Sequence, residues 1–203
     1  MAKPVIQGIF QNRALQLAIL IAVLCIGLQA LGLDQLLRFD RHALLAGNWW
    51  LLLTGNFVHL NWNHLMLNMA GLALIVMLVW SNFTAWEWTA VVLFSSLGVG
   101  VGLFLLDTQI EWYVGFSGTL HGLLLAGALA DLRRYPINAG FLIVAVCLKL
   151  LWEQIYGAVP GSESVAGGAV VVNSHLYGAI CGAVIALPLL AISSRRKQQG
   201  QNI

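Results

Sequence analysis

Three separated segments carry side chains whose types suit acyl transfer: His64 and Asn68, Ser117 within GFSGTLHG, and His175 within NSHLYGAICG. A hydroxyl, an imidazole and two donors for a developing oxyanion are the components of a serine nucleophile mechanism. Each alone has a plainer explanation. A serine in Gly-x-Ser-Gly is a weak signal in a chain with 21 glycines, and His175, or His64 with Asn68, could simply hydrogen-bond between helices. Spacing adds weight to the combination. His64 and Asn68, four apart, share a helical face. Gly118 and Gly122 beside Ser117, and Gly178 and Gly182 after His175, form small-xxx-small faces that let two helices pack closely. Such an approach would bring His175 to about 3 Å from the Ser117 hydroxyl, as a general base requires; bundle packing alone also explains the glycines. His121 shares the face of Ser117 and leans toward it, so it is a rival base, a partner of His175 or a packing residue. Asp107 and Glu111 precede Ser117, but nothing in the spacing ties either to His175, so the expectation is a Ser117–His175 dyad and not a triad.

The elements that must hold these residues follow from composition. The chain of 203 residues is 60% hydrophobic and 9% charged, against roughly 45–50% and about 25% in soluble domains. That polar fraction cannot cover a water-exposed surface, so the chain is an integral membrane protein with the lipid bilayer as a partner. A formal net charge of +2 offers no basic field for nucleic acid. Cys25, Cys147 and Cys181 are widely spaced within apolar runs and read as packing residues, with neither a disulfide framework nor a metal cluster. A helix needs about 20 apolar residues to cross ~30 Å of hydrocarbon. Six stretches qualify, at about 14–33, 60–80, 88–106, 116–132, 138–157 and 174–192. The expected fold is an all-α membrane protein, a six-transmembrane-helix bundle forming a single domain over 1–203. The first apolar run exceeds a signal-peptide core, so it is expected to be retained. Residues 34–59 are too interrupted to span and should lie at the interface as short amphipathic pieces. Residues 158–173, rich in Gly, Ser and Pro, read as a strap able to act as a gate.

With the N-terminus inside, Lys3, Arg13, Arg133, Arg134, Arg195, Arg196 and Lys197 face inward against Arg38 and Arg41 outside, seven to two. The positive-inside rule then places both termini in the cytoplasm. Trp49, Trp50, Trp62, Trp112 and Trp152 fall at the outer interface, and Trp80, Trp86 and Trp88 at the inner one. In this topology the second, fourth and sixth spans begin at the outer surface. His64, Asn68, Ser117 and His175 therefore share one depth.

The assembled pattern resembles the rhomboid family of intramembrane serine proteases. The matching residues are His59-x4-His64-x3-Asn68, Gly115-x-Ser117-Gly118 and His175-x2-Gly178-x3-Gly182, preceded by Trp50, Thr54 and Phe57 in the outer loop. The resemblance implies the six-helix rhomboid-like fold, Ser117 as nucleophile, and His175 as base. It also implies an oxyanion hole of His64, Asn68 and the Ser117 backbone N–H, with His59 in a structural role above the site. Neither cofactor nor metal is implied. Leu51 stands where the family usually has Arg, and His121 where many members carry Tyr. The segment around Ser117 and His121, on a chain with no extra domain, is most similar to the rhombosortase branch. That branch is associated with bacterial proteins carrying a C-terminal Gly-Gly motif, one transmembrane helix and a basic tail. The expected protein is then a bacterial inner-membrane endopeptidase that cleaves a transmembrane protein substrate near the periplasmic face, with water or an amine accepting the acyl group. The alternative is a non-proteolytic membrane protein that binds substrate helices, or haem or metal through His59, His64, His121 and His175.

Overall fold

The computed structural model describes residues 12–200, with side chains through residue 192. Lys3 and the side chains of Arg195, Arg196 and Lys197, on which the charge asymmetry partly rests, lie outside that range. The elements run α1 (Arg13–Ala30), α2 (Asp34–Leu37), β1 (Phe39–Asp40), α3 (Arg41–Leu45), α4 (Leu51–Thr54), α5 (Trp62–Val79), α6 (Ala85–Leu106), β2 (Trp112–Tyr113), α7 (Ser117–Asp131), α8 (Pro136–Tyr156), α9 (Ser162–Ala166) and α10 (Val172–Gly200).

Local chemistry explains the main boundaries. The Asn61 side chain accepts from the His64 backbone N–H at the start of α5. Thr84 and Glu87 form a capping box at the start of α6. Pro136 occupies the first turn of α8, where its missing N–H is not needed. Gly157, at φ +82°, ends that helix.

Among the described residues, five helices are long and apolar enough to cross a membrane: α1, α5 with the short 3-10 turn after it, α6, α8, and α10 through Ile192. The stretch expected at 116–132 folds as the 15-residue helix α7, only about 22 Å long at 1.5 Å per residue. It is the inner element of the bundle, packed against α5, α6, α8 and α10. The exterior is strongly apolar, as lipid-facing surface should be: Met77, Ile137 and Phe141 are 82%, 85% and 76% exposed.

The segment 34–59, between α1 and α5, forms α2, α3 and α4, tied by the antiparallel β1–β2 pair that matches Phe39 with Tyr113. A small core of Phe39, Leu44, Leu51, Val99, Leu103 and Tyr113 sits beneath it. Leu51 therefore serves as a packing residue. Anchoring of this segment falls to Arg41, whose guanidinium donates to the carbonyls of Leu103, Phe104, Asp107 and Ile110. A cation donating to terminal carbonyls also suits the negative end of α6.

One interfacial assignment needs correction. Trp80 and Trp88 were expected in the inner aromatic belt with Trp86, but both are buried, stacked at 4.3 Å between ring centroids. The Trp88 indole N–H donates to the Trp80 carbonyl at 2.8 Å. Helix α6, which carries Trp86 and Trp88, is apolar on every side, so its sequence does not mark which of these two indoles faces inward. Trp86 is exposed.

Candidate active site

Ser117 is the first residue of α7. The chain reaches it through Gly115, at φ +125°, where a Cβ would lie 2.6 Å from the His64 ring. Glycine is needed at 115 for both reasons. Tyr113 braces the turn by donating its hydroxyl to the Gly115 carbonyl at 2.7 Å, and burial pushes its phenol above the ordinary range, so it remains a donor. The start of a helix presents backbone N–H groups without intrahelical acceptors, a setting suited to negative charge.

His175, on the second turn of α10, is brought against α7 by glycine contacts. A Cβ on Gly178 would strike the carbonyl of Gly118, one on Gly182 the carbonyl of Gly122, and one on Gly118 would come within 2.6 Å of the Ser174 carbonyl. The backbones touch, and His175 Nε2 lies 2.9 Å from Ser117 Oγ. This is the separation a general base needs to take the hydroxyl proton.

His64 and Asn68 line the same cavity of about 790 Å³ as Ser117 and His175. Asn68 Nδ2 and His64 Nδ1 are buried with no hydrogen-bond partner among the described residues. Unsatisfied buried polar atoms beside the Ser117 hydroxyl are costly unless a ligand or transition state supplies the partner. Leu67, Gly71, Leu74, Leu120 and Leu124 continue the cavity as an apolar wall. Residues of the 158–173 strap form another wall, held where Asn61 Nδ2 donates to the Ala166 carbonyl at 3.0 Å.

His59 lies behind His64, edge to face at 5.2 Å, and is fully buried. Burial, and secondarily the neighbouring His64, push its pKa down to about 3, so the ring is neutral at physiological pH. Asp107 does not approach His175; it accepts from Asn173 and Tyr177 instead. Glu111 faces His42 at 3.4 Å.

Two residues of the site were not singled out from the sequence. Glu153 and Lys149 lie four apart on α8 and turn inward. The Glu153 carboxylate oxygens are each 3.0 Å from His175 Nδ1, and Lys149 Nζ lies 2.8 Å from Glu153 Oε1. The imidazole expected to act in a dyad therefore contacts a carboxylate. The sequence does carry a signal for them, since ionisable residues within a spanning stretch are functional-site candidates by default, whereas Asp107 and Glu111 lie in the loop before Ser117. His121 stacks on His175 at 4.3 Å and bonds the Ser117 carbonyl through Nδ1 at 2.7 Å. That makes it a neighbour of both Ser117 and His175.

His121, Glu153 and His175 bring three potential metal-ligand atoms within 4.8 Å of one another. Lys149 Nζ lies 2.8 Å from His121 Nε2 and 3.0 Å from His175 Nδ1 as well as 2.8 Å from Glu153. An ammonium already fills the place a cation would take, so the trio does not fit a metal ion.

The geometry assembles three segments 53 and 58 residues apart in sequence around one hydroxyl. Among curated proteins none matches the chain. A rhomboid domain matches residues 46–192, a range that includes every residue of the cavity just described. The chain belongs to the rhomboid family of intramembrane serine proteases.

Proposed function

We propose that this rhomboid protein cleaves a transmembrane protein through an acyl-enzyme formed on Ser117, with His175 as the base. Ser117 Oγ attacks the scissile carbonyl carbon while its proton passes to His175 Nε2. The resulting oxyanion accepts hydrogen bonds from the Ser117 backbone N–H, His64 and Asn68. Collapse breaks the C–N bond, and the leaving amine takes the proton from Nε2. A water then attacks the ester carbonyl carbon as His175 Nε2 accepts its proton; collapse breaks the C–Oγ bond, the proton passes from Nε2 to Ser117 Oγ, and the acid product leaves. The observation that carries this reading is the 2.9 Å contact between Ser117 Oγ and His175 Nε2 within a cavity that also holds the unpartnered Asn68 amide.

The substrate class proposed is that of the rhombosortase branch, bacterial membrane-anchored proteins with a C-terminal Gly-Gly signal. Two glycines lower the cost of the extended backbone that attack on a carbonyl requires. The apolar wall formed by α5 and α7 suits a helix arriving from the bilayer. Cleavage is assigned to the periplasmic side of the bacterial inner membrane, with both termini cytoplasmic.

The test is covalent labelling in detergent with a fluorophosphonate. Wild-type protein should label, and Ser117→Ala should neither label nor cleave while retaining its melting temperature, since one small side chain replaces another. Labelling of Ser117→Ala at the wild-type level would overturn the assignment.

A further inference from the structure

Five groups around the nucleophile form a closed circuit, and its donors and acceptors can be assigned from chemistry alone. A carbonyl oxygen only accepts, so the 2.7 Å contact between the Ser117 carbonyl and His121 puts the hydrogen on His121 Nδ1. In the neutral ring Nε2 is then bare, and it faces Lys149 Nζ, an ammonium that only donates, at 2.8 Å. The same ammonium donates to Glu153 Oε1 at 2.8 Å. The Glu153 carboxylate only accepts, and both its oxygens lie 3.0 Å from His175 Nδ1. With Nδ1 protonated, His175 Nε2 is bare and accepts from Ser117 Oγ at 2.9 Å. The circuit starts at the Ser117 carbonyl and ends at the Ser117 hydroxyl with every donor opposite an acceptor.

A competing arrangement exists. Lys149 Nζ also lies 3.0 Å from His175 Nδ1. If the ammonium donated there, Nδ1 would be bare, Nε2 would carry the hydrogen, and His175 could not take the Ser117 proton. His175 faces Ser117 and His121 from α7, and Lys149 and Glu153 from α8. Of these only Glu153 can hold a hydrogen on Nδ1.

We infer that Glu153, Lys149 and His121 set the tautomer of His175, making Glu153 and Lys149 positioning residues for the base. Glu153 accepts from Nδ1 and so leaves Nε2 free. Lys149 keeps Glu153 ionised: a lone carboxylate buried in an apolar span would take up a proton, and its hydroxyl would then donate to a bare Nδ1. His121 draws one Lys149 hydrogen away from His175. The pair is neutral overall, which lowers the cost of placing it at membrane depth.

This inference rests on the proposed serine protease chemistry and deepens it. The test uses the full chain in detergent, with the rate and saturation constant of fluorophosphonate acylation measured per folded molecule. Glu153→Gln preserves shape but presents an amide that can donate to Nδ1. The equivalent exchange in the soluble Ser-His-Asp triad lowers turnover by about 10⁴, and here a loss of ~10² to 10⁴ in maximal rate is expected with the saturation constant unchanged. Lys149→Met should fall in the same range, and Lys149→Arg should recover part of the loss. Lys149→Met with Glu153→Gln removes the buried charge pair and should regain the melting temperature lost in Lys149→Met without regaining the rate. Nitrogen-15 NMR of labelled histidine should show His175 protonated at Nδ1 in wild type and at Nε2 in Glu153→Gln. If wild type labels and both single variants acylate at its rate, the inference fails and a simple dyad stands. If wild type itself does not label, the protease reading fails instead.

Discussion

At the residue scale, His64 and Asn68 admit two physical roles with different costs. As donors to an oxyanion they contribute only when charge develops on the substrate oxygen. As bonds between helices they would contribute to the folded state at all times, about 0.6 to 2 kcal/mol each. The structure leaves Asn68 Nδ2 and His64 Nδ1 without protein partners among the described residues, which favours the first role. His64→Ala and Asn68→Ala are therefore expected to lower the acylation rate ~10² to 10³-fold each, with little change in melting temperature. Thermal unfolding and single-turnover labelling in the same detergent separate the two; a lowered melting temperature with normal acylation per folded molecule would assign both residues to packing.

At the element scale, the site depends on how closely α10 approaches α7. Gly178 abuts the Gly118 carbonyl, and Gly122 abuts the Gly178 carbonyl, so there is no room for even one methyl group. Gly178→Ala should force α10 outward at an overpacking cost of about 1–3 kcal/mol, lowering the melting temperature. It should slow acylation more than the unfolded fraction explains, because His175 lies one turn before Gly178. Gly140→Ala on α8 is the control: a Cβ there meets nothing within 4 Å, and alanine is the better helix former. Equal behaviour of the two variants would contradict close helix approach as the device that sets the Ser117–His175 distance. This approach was legible from the sequence because glycine spacing encodes it directly. The acidic and basic partners on α8 were harder to see. Lys149 and Glu153 sit in a stretch whose other residues are largely apolar, so hydropathy absorbs them, and their contact with His175 depends on the rotation of α8 about its axis. That rotation is set by which face packs on α7 and α10, through Ala139, Val146, Leu150 and Glu153.

At the scale of the whole molecule, hydropathy marks the long spans, and the stretch expected at about 116–132 differs from α7 by one residue at each end. The apolar run does continue past Ser117 toward Phe116, but the chain turns at Gly115, so the helix starts at the serine. A helix of about 22 Å surrounded by longer ones can place its first residue below the membrane surface, which is where a nucleophile must be to meet a transmembrane substrate. Which surface that is follows from charge and not from packing. Helix α8 separates the exposed Arg134 from the exposed Ser164 by a 21-residue span, roughly 31 Å, so the two lie at opposite ends of the bundle. The strap containing Ser164 is tied to the start of α5 next to His64 through Asn61 and Ala166, so the Ser164 end is the active-site end. The topology proposed from the seven-to-two excess of Lys and Arg has Arg134 inside. In a cysteine-free background, a cysteine at 164 should react with an impermeant maleimide added to intact spheroplasts. A cysteine at 134 should react only after lysis. The opposite pattern would keep every distance around Ser117 yet open the cavity to the cytoplasm, excluding substrates whose cleavage site lies on the periplasmic side.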